Sequence, residues 1–178
     1  IPVAIQWLFL AVRYQSLSLP LIANPGIPLS GMIGVSKSAV FDLAGDYARQ
    51  WILPWILVEV EDQSLQRQCQ MAKQALTAAG LEYPLVGKPN MGCRGVGVRL
   101  LNDDAQLQDY LQGFPVGGCI QFQKLSQWDA EAGVFYVRDP ERARGEVTSL
   151  TLKYTPFVVG DGERQLGEFI AQEPRAGQ

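Results

Sequence analysis

Apolar residues recur at helical spacing in several segments of the chain. Between Gln63 and Ala79 one face is apolar, and Gly80 follows as a C-terminal stop. That face carries Leu65, Cys69, Ala72, Ala75 and Leu76. The predicted helices cover Ile1–Tyr14, a segment from about Ser38, Gln63–Ala79, Asn102 or Asp103 to Gln112, and Arg164–Gln172.

Alternating and β-branched segments predict the strands. They cover Trp51–Val60, the residues leading to Lys88, Val96–Leu101, Gly117–Leu125, Glu131–Arg138 and Glu146–Tyr154. Leu19–Ala23 fits a short strand or simply extended chain. The second half therefore reads β-β-α-β-β-β-α with short connections, which predicts an α+β fold with antiparallel or mixed sheets layered with helices.

Composition sets bounds on what the chain can be. Its 178 residues are 47% hydrophobic, which suits one ordinary domain or two small subdomains. A net charge of -3 does not favour a nucleic-acid binder. The chain has no histidine, which excludes His bases and the usual catalytic zinc sites. Its three widely spaced cysteines fit free thiols in a reducing cytosol, so we expect a cytoplasmic protein.

The N-terminal segment is unusually apolar. Ile1–Val12 contains Trp7 and Phe9 and is shorter than the ~20 residues that a membrane-spanning helix needs. We expect a helix that is buried or lies at an interface, with membrane-surface contact as the alternative. The sequence does not begin with Met, so we expect an excerpt of a longer chain. A homo-oligomer is an alternative to a monomer.

A lysine and a glycine-rich loop form the main candidate site. Lys88 closes an apolar strand, and the loop that follows contains Gly92, Gly95 and Gly97 before the next strand begins. Glycine lets the backbone approach an anion closely, and consecutive N–H groups form a concave anion site. An ammonium beside such a loop is typical of phosphate binding. The alternative is a β-hairpin with a glycine-rich turn and an exposed lysine.

A second loop, residues 24–38, is rich in Gly, Pro and Ser. Its glycines and Lys37 could form another anion site at the start of a helix, and a structured connector is the favoured alternative. Ser36 or Ser38 is the candidate helix cap.

The order lysine, proline, glycine-rich loop, strand resembles the ATP-grasp superfamily, especially the D-alanine–D-alanine-ligase-like and cyanophycin-synthetase-like carboxylate–amine ligases. The resemblance covers about residues 83–170. Four segments carry it: Lys88 with its loop, Gly118–Leu125, Glu131–Arg138, and Ser149–Ile170 with its Val-Val-Gly-Asp-Gly sequence. In that last segment Asp161 is read as a turn former rather than a metal ligand.

The resemblance implies ATP and Mg²⁺ as cofactors, and a carboxylate and an amine as substrates. It implies that Lys88, Lys153 and the loop glycines bind the phosphates. It also implies that adenine lies beside the strand with Gln121 and Gln123, and that Glu131 binds the ribose. The family usually has an acidic residue on that strand, where this chain has two glutamines. Arg94 and Arg99 are the candidate catalytic residues, which would stabilise the phosphoryl group during its transfer.

The resemblance also implies a division into residues 1–80, an N-terminal region, and residues 81–178, the nucleotide-binding module. Family members hold Mg²⁺ with carboxylates and an asparagine after the last helix, and the tail Gln172–Gln178 has no such pattern. We therefore expect a partial module without metal ligands. The alternatives are a nucleotide-binding or interaction module without turnover, and an α+β domain that binds no nucleotide.

Overall fold

The computed structural model describes residues 2–22, 26–32, 34–153 and 157–173. Its helices are α1 Pro2–Arg13, α2 Lys37–Asp42, α3 Asp46–Arg49, α4 Leu65–Ala78, α5 Asp104–Gln112 and α6 Leu166–Gln172. Its strands are β1 Trp55–Glu59, β2 Leu85–Pro89, β3 Arg99–Leu101, β4 Cys119–Lys124, β5 Glu131–Val137 and β6 Glu146–Lys153. The fold is α+β with antiparallel sheets. The ends of three predicted segments, at residues 1, 23 and 154, lie outside the described ranges, as do residues 24, 25 and 33 of the second loop and the tail from residue 174.

The chain divides into two compact units, residues 1–126 and residues 127–178. The expected boundary at residue 80 lies inside the first unit, between α4 and β2, which belong to one core.

The first unit is built on a four-stranded antiparallel sheet with the order β1-β4-β2-β3. In the pairing of β2 with β4, Lys88 lies opposite Gln121 and Val86 lies opposite Gln123. Directly opposed residues of an antiparallel pair share a face, so these four side chains lie on the same side of the sheet. Gly87 lies on the other side, against Tyr110 of α5.

The helices α4 and α5 begin and end where the sequence supplies caps. Ser64 accepts a hydrogen bond from the backbone N–H of Arg67, and Asp103 accepts one from Gln106. After α4 the chain turns at Gly80 with φ +64°, a conformation that glycine adopts without steric cost. The predicted bounds of both helices are therefore confirmed to within about two residues.

The core of the first unit lies between the sheet and these two helices. Its apolar side chains come from the inward face of the sheet, from the predicted apolar face of α4 and from α5. They include Val58, Cys69, Ala72, Leu76, Leu85, Leu101, Leu107, Ile120 and Phe122. Burial of the valine, leucine, isoleucine and phenylalanine side chains among them contributes ~1.5–3 kcal/mol each, so this layer holds the sheet in place.

The helix α2 contacts the opposite face of the sheet. Its N-cap is Ser36, whose hydroxyl accepts from the N–H of Ala39. The Phe41 ring packs against the ring of Trp55 in β1, at 5.7 Å between centroids. The sheet is thus contacted on both sides, with α4 and α5 on the apolar side.

The second unit contains a β-hairpin and a short helix. The strands β5 and β6 pair in the register Glu131 opposite Lys153, with an irregularity between Phe135 and Tyr136. Ala132 and Val134 face Leu152 and Leu150, which gives the hairpin one apolar side. Helix α6 begins with a capping box formed by its N-cap Gln165 and by Glu168.

Three N-terminal features differ from the sequence predictions. Leu19–Ile22 is a 3₁₀ helix rather than a strand, and the one-turn helix α3 has no counterpart among the predictions. Both are shorter than a reliable periodic pattern. Helix α1 forms as predicted, but Ala11 is its one buried residue, so the expectation of burial is wrong for this chain and the interface alternative stays a prediction. Of the helices described, not one has the length and apolar character needed to cross a bilayer.

Candidate functional site

Lys88 lies near the end of β2, on the side of the sheet that α2 contacts. Its Nζ donates a hydrogen bond to Oε1 of Gln123 at 2.7 Å and lies 5.9 Å from the centre of the Phe41 ring. An amide oxygen and an aromatic face both attract a cation, but neither carries a formal negative charge. The described contacts therefore leave the ammonium without full counter-charge.

The protein environment disfavours the charged form of Lys88. Burial lowers the pKa of its ammonium, and the nearby charge of Lys37 lowers it further. A half-buried cation close to another cation is a site that gains from binding an anion, because the anion compensates both effects.

Two glutamines of β4 lie next to Lys88. Gln123 bridges Lys88 to the backbone by donating from Nε2 to the carbonyl of Leu53 at 2.9 Å. Gln121 is fully buried, and its Oε1 and Nε2 have no hydrogen-bond partner within the described parts of the chain. An amide in this state costs ~1–3 kcal/mol relative to a satisfied one, so the site contains a polar group that a ligand or water would stabilise.

The glycine-rich loop that follows β2 is exposed along its length. Positive φ angles occur at Gly92, Arg94, Gly95 and Gly97, and two tight turns are closed by Val96 N–H to Cys93 C=O and by Val98 N–H to Gly95 C=O. These left-handed residues explain why the sequence uses glycine here. The predicted Gly92, Gly95 and Gly97 all lie in this exposed loop, which follows the strand that carries Lys88.

Sequence reasoning missed Asn90, the buried residue that joins the two loops. Its Oδ1 accepts from the N–H of Ser38 at 3.0 Å, and its Nδ2 donates to the hydroxyls of Ser36 and Ser38. Its backbone carbonyl accepts from the N–H of Lys37. The sequence contains two relevant features: an asparagine directly after Lys-Pro, and a Ser-Lys-Ser sequence upstream. Neither segment by itself indicates that the other is its hydrogen-bond partner.

These bonds favour the connector interpretation of the second loop. The N–H groups of Lys37, Ser38 and Ala39 at the start of α2 are all used by Asn90 or Ser36. The ammonium of Lys37 donates to the carbonyls of Pro89 and Gly92, at 2.8 and 3.2 Å. The amides that an anion would need at this helix start are therefore occupied.

The two candidate catalytic arginines occupy different places. Arg94 lies in the exposed loop with φ +56°. Arg99 lies opposite Gly87 in the β2–β3 pairing, pairs with Asp109 of α5 at 2.9 Å, and approaches the Tyr110 ring. It therefore lies on the α5 side of the sheet, away from the side of Lys88.

Glu131 and Lys153 lie in the second unit. They are opposite each other at one end of the hairpin, with Lys153 Nζ 2.5 Å from Glu131 Oε1, and both are exposed. Asp161 accepts from the backbone N–H groups of Glu163 and Arg164 and from the Arg164 side chain. These bonds, those of Arg164 foremost, lower the pKa of Asp161 to about 2, which is consistent with a turn former.

The described side chains around Lys88 do not suit Mg²⁺. They carry amide and ammonium groups, whereas Mg²⁺ prefers carboxylate oxygens. Throughout the described ranges, no three Asp, Glu, Cys or His side chains group as a metal site. A cavity of about 170 Å³ opens beside Phe41 and Trp55, which is smaller than the ~300 Å³ typical of small-molecule pockets. Neither Lys88 nor the glycine-rich loop lines this cavity.

Comparison with known proteins gives one result. This chain matches no family model, no curated protein and no solved structure.

Proposed function

We propose that this chain binds the phosphates of ATP through Lys88 and the glycine-rich loop, as part of an ATP-grasp-like carboxylate–amine ligase. The observation that carries the proposal is the half-buried ammonium of Lys88, which has an amide and an aromatic ring as its described contacts and precedes an exposed loop. The sequence resemblance supports the family, and the α+β fold is compatible with it.

The chemistry would use few reacting side chains. The γ-phosphoryl group of ATP passes to a substrate carboxylate, giving ADP and an acyl phosphate. An amine then attacks the acyl carbon, phosphate leaves, the amine proton passes to a carboxylate or to solvent, and an amide forms. Positioning and charge stabilisation dominate such transfers. Lys88 would neutralise phosphate oxygens, and the loop amides would orient them. Lys153, Gln121, Gln123 and Glu131 remain proposed nucleotide contacts.

In the proposal, the phosphates are bound by lysine and amide groups of the chain. ATP in cells carries Mg²⁺ as a companion of its phosphates. Because the described residues around Lys88 offer no carboxylate set for this ion, the role of the chain in the proposal is phosphate binding.

A second candidate is a nucleotide-binding module without turnover. The position of Arg99 favours it, because the β2–β3 register directs this side chain to the α5 side of the sheet, where it pairs with Asp109. An arginine there cannot steady a phosphoryl group bound at Lys88 unless the pair opens and β3 rearranges.

Two measurements on the same preparation separate these candidates. A thermal-shift titration with ATP·Mg²⁺, against GTP·Mg²⁺ and Mg²⁺ alone, tests binding, since a ligand that prefers the folded chain raises Tm with concentration. ADP release is then measured with pools of carboxylates and amines. An ATP-specific shift with substrate-dependent ADP release supports the ligase. A shift with no ADP release in any pool supports the binding module, and no shift contradicts both.

A further inference from the structure

The carbonyl groups of the glycine-rich loop are held by donors from other parts of the first unit. Lys37 donates to the carbonyl of Gly92 at 3.2 Å, and the hydroxyl of Tyr110 donates to that of Gly97 at 2.7 Å. Within the loop, Cys93 and Gly95 accept from the turn amides of Val96 and Val98. Four carbonyls of one short loop are thus engaged.

Because the peptide bond is planar, the direction of each carbonyl fixes the direction of the N–H group that follows it. In a trans peptide, C=O and N–H point in opposite directions. Since the carbonyl of Gly92 points to Lys37, the N–H of Cys93 points away from Lys37. Since the carbonyl of Cys93 points into the first turn, the N–H of Arg94 points out of it. Two consecutive amides are therefore directed away from the groups that hold the loop.

We propose that Lys37 and Tyr110 are positioning residues that hold the loop carbonyls and so present the Cys93 and Arg94 amides to one phosphate group. This inference rests on the proposed function, and it adds the residues that orient the loop and the amides that receive the anion. Lys37 and Tyr110 act through the loop backbone and need not touch the ligand.

The surroundings of the two residues suit a fixed support. Lys37 is itself held at its backbone N–H by the carbonyl of Asn90, which is buried. Tyr110 is buried in the core, and burial raises the pKa of its hydroxyl to about 12, so it stays a donor at neutral pH. Gly97 also lies against Pro89, where a Cβ would come within 2.7 Å of Cγ. Both ends of the loop are therefore anchored, while residues 93–96 between them remain exposed.

The test uses backbone amide signals of the ¹⁵N-labelled full chain. ATP and inorganic tripolyphosphate are titrated separately, because the shared phosphate chemistry should act without the base. We expect both ligands to shift the Cys93 and Arg94 signals more than the other loop amides. Tyr110→Phe should weaken the affinity about fivefold, the value of one lost hydrogen bond. Lys37→Met removes two hydrogen bonds and a positive charge near Lys88, so it should weaken the affinity further. Lys37→Arg, which keeps an N–H donor, should recover much of that loss.

Tyr83→Phe is the matched control. It removes a hydroxyl that donates to Asp104 at 3.0 Å, away from the loop, so it should leave the affinity unchanged even if Tm falls. Wild-type affinity in both Tyr110→Phe and Lys37→Met would overturn the positioning roles. ATP binding with unmoved Cys93 and Arg94 amides, or with shifts for ATP alone, would overturn the inference and leave the proposed function standing. Binding of neither ligand by the wild type would overturn both.

Discussion

The ammonium of Lys88 is held 2.7 Å from the amide oxygen of Gln123, across the β2–β4 pairing. The same glutamine donates its Nε2 to the carbonyl of Leu53, so its orientation is fixed with the oxygen towards the lysine. The lysine therefore has a defined position on the sheet before any ligand arrives, which reduces the entropy lost on binding.

The two glutamines of β4 should respond to substitution with opposite signs. Gln121→Leu replaces a buried amide without described partners by an apolar side chain of similar size, so the free energy of unfolding should rise by ~1–2 kcal/mol. Gln123→Leu removes the bonds to Lys88 and Leu53 and should lower it by ~1 kcal/mol. Urea denaturation measures both. A fall for Gln121→Leu would mean that this amide has a partner in solution.

Loop geometry predicts a difference between two glycines with nearly equal φ. Gly95→Ala introduces a left-handed alanine at φ +74° with nothing within 4 Å, at a cost of ~1–2 kcal/mol. Gly97→Ala has the same backbone cost at φ +75° and also places Cβ 2.7 Å from Pro89, which adds ~1–3 kcal/mol. Thermal denaturation of the two variants compares them directly. Equal losses would contradict the close packing of Gly97 on Pro89.

Lys88 should make stability rise with pH on the alkaline side. Burial and Lys37 lower its pKa below the usual 10.5, so between the folded and unfolded values the folded chain binds fewer protons and gains stability as pH rises. Below the folded-state pKa the full cost of the buried charge is present. Compared with Lys88→Met, the wild type should therefore gain stability in that window.

Urea denaturation of both proteins at pH 7 and near pH 10 measures this difference. Burial raises the pKa of Tyr83 and of Tyr110 above 10, so each loses stabilising effect as pH rises above 10. Both tyrosines are present in the two proteins, and their effects cancel in the comparison. A difference that stays constant with pH would contradict the lowered pKa of Lys88.

Substitution of Lys153 distinguishes a role in ligand binding from a role in stability. Its ion pair with Glu131 is exposed on both sides, and such pairs contribute ~0–1 kcal/mol. Lys153→Ala should therefore leave Tm almost unchanged while weakening ATP binding several-fold in a calorimetric titration. Full-strength ATP binding by this variant would remove Lys153 from the proposed site.

Local patterns predicted most of the elements, and long-range contacts decided the site. The order of strands and helices from β2 onward follows from periodicity, and Ser36 and Gly80 follow from capping chemistry, because both signals lie within a few neighbouring residues. The pairing of Asn90 with Ser36 and Ser38 joins segments more than fifty residues apart, which no local pattern indicates.

The side of the sheet on which Arg99 lies depends on the register between β2 and β3. That register is set by the turns in the connecting loop, where the sequence alone leaves several arrangements open. Lys88 was predicted with its loop because the two are adjacent in the chain. Its pairing with Gln123 depends instead on how β4 inserts between β1 and β2.

The most direct test of the central claim is a calorimetric titration of ATP·Mg²⁺ into the wild type, Lys88→Met and Lys124→Met. Lys124 is an exposed lysine at the end of β4 and serves as the matched loss of one positive charge. We predict binding by the wild type and Lys124→Met, and at least tenfold weaker binding by Lys88→Met with Tm unchanged or raised. Equal affinity in all three proteins would contradict the assignment of Lys88 as the phosphate-binding residue.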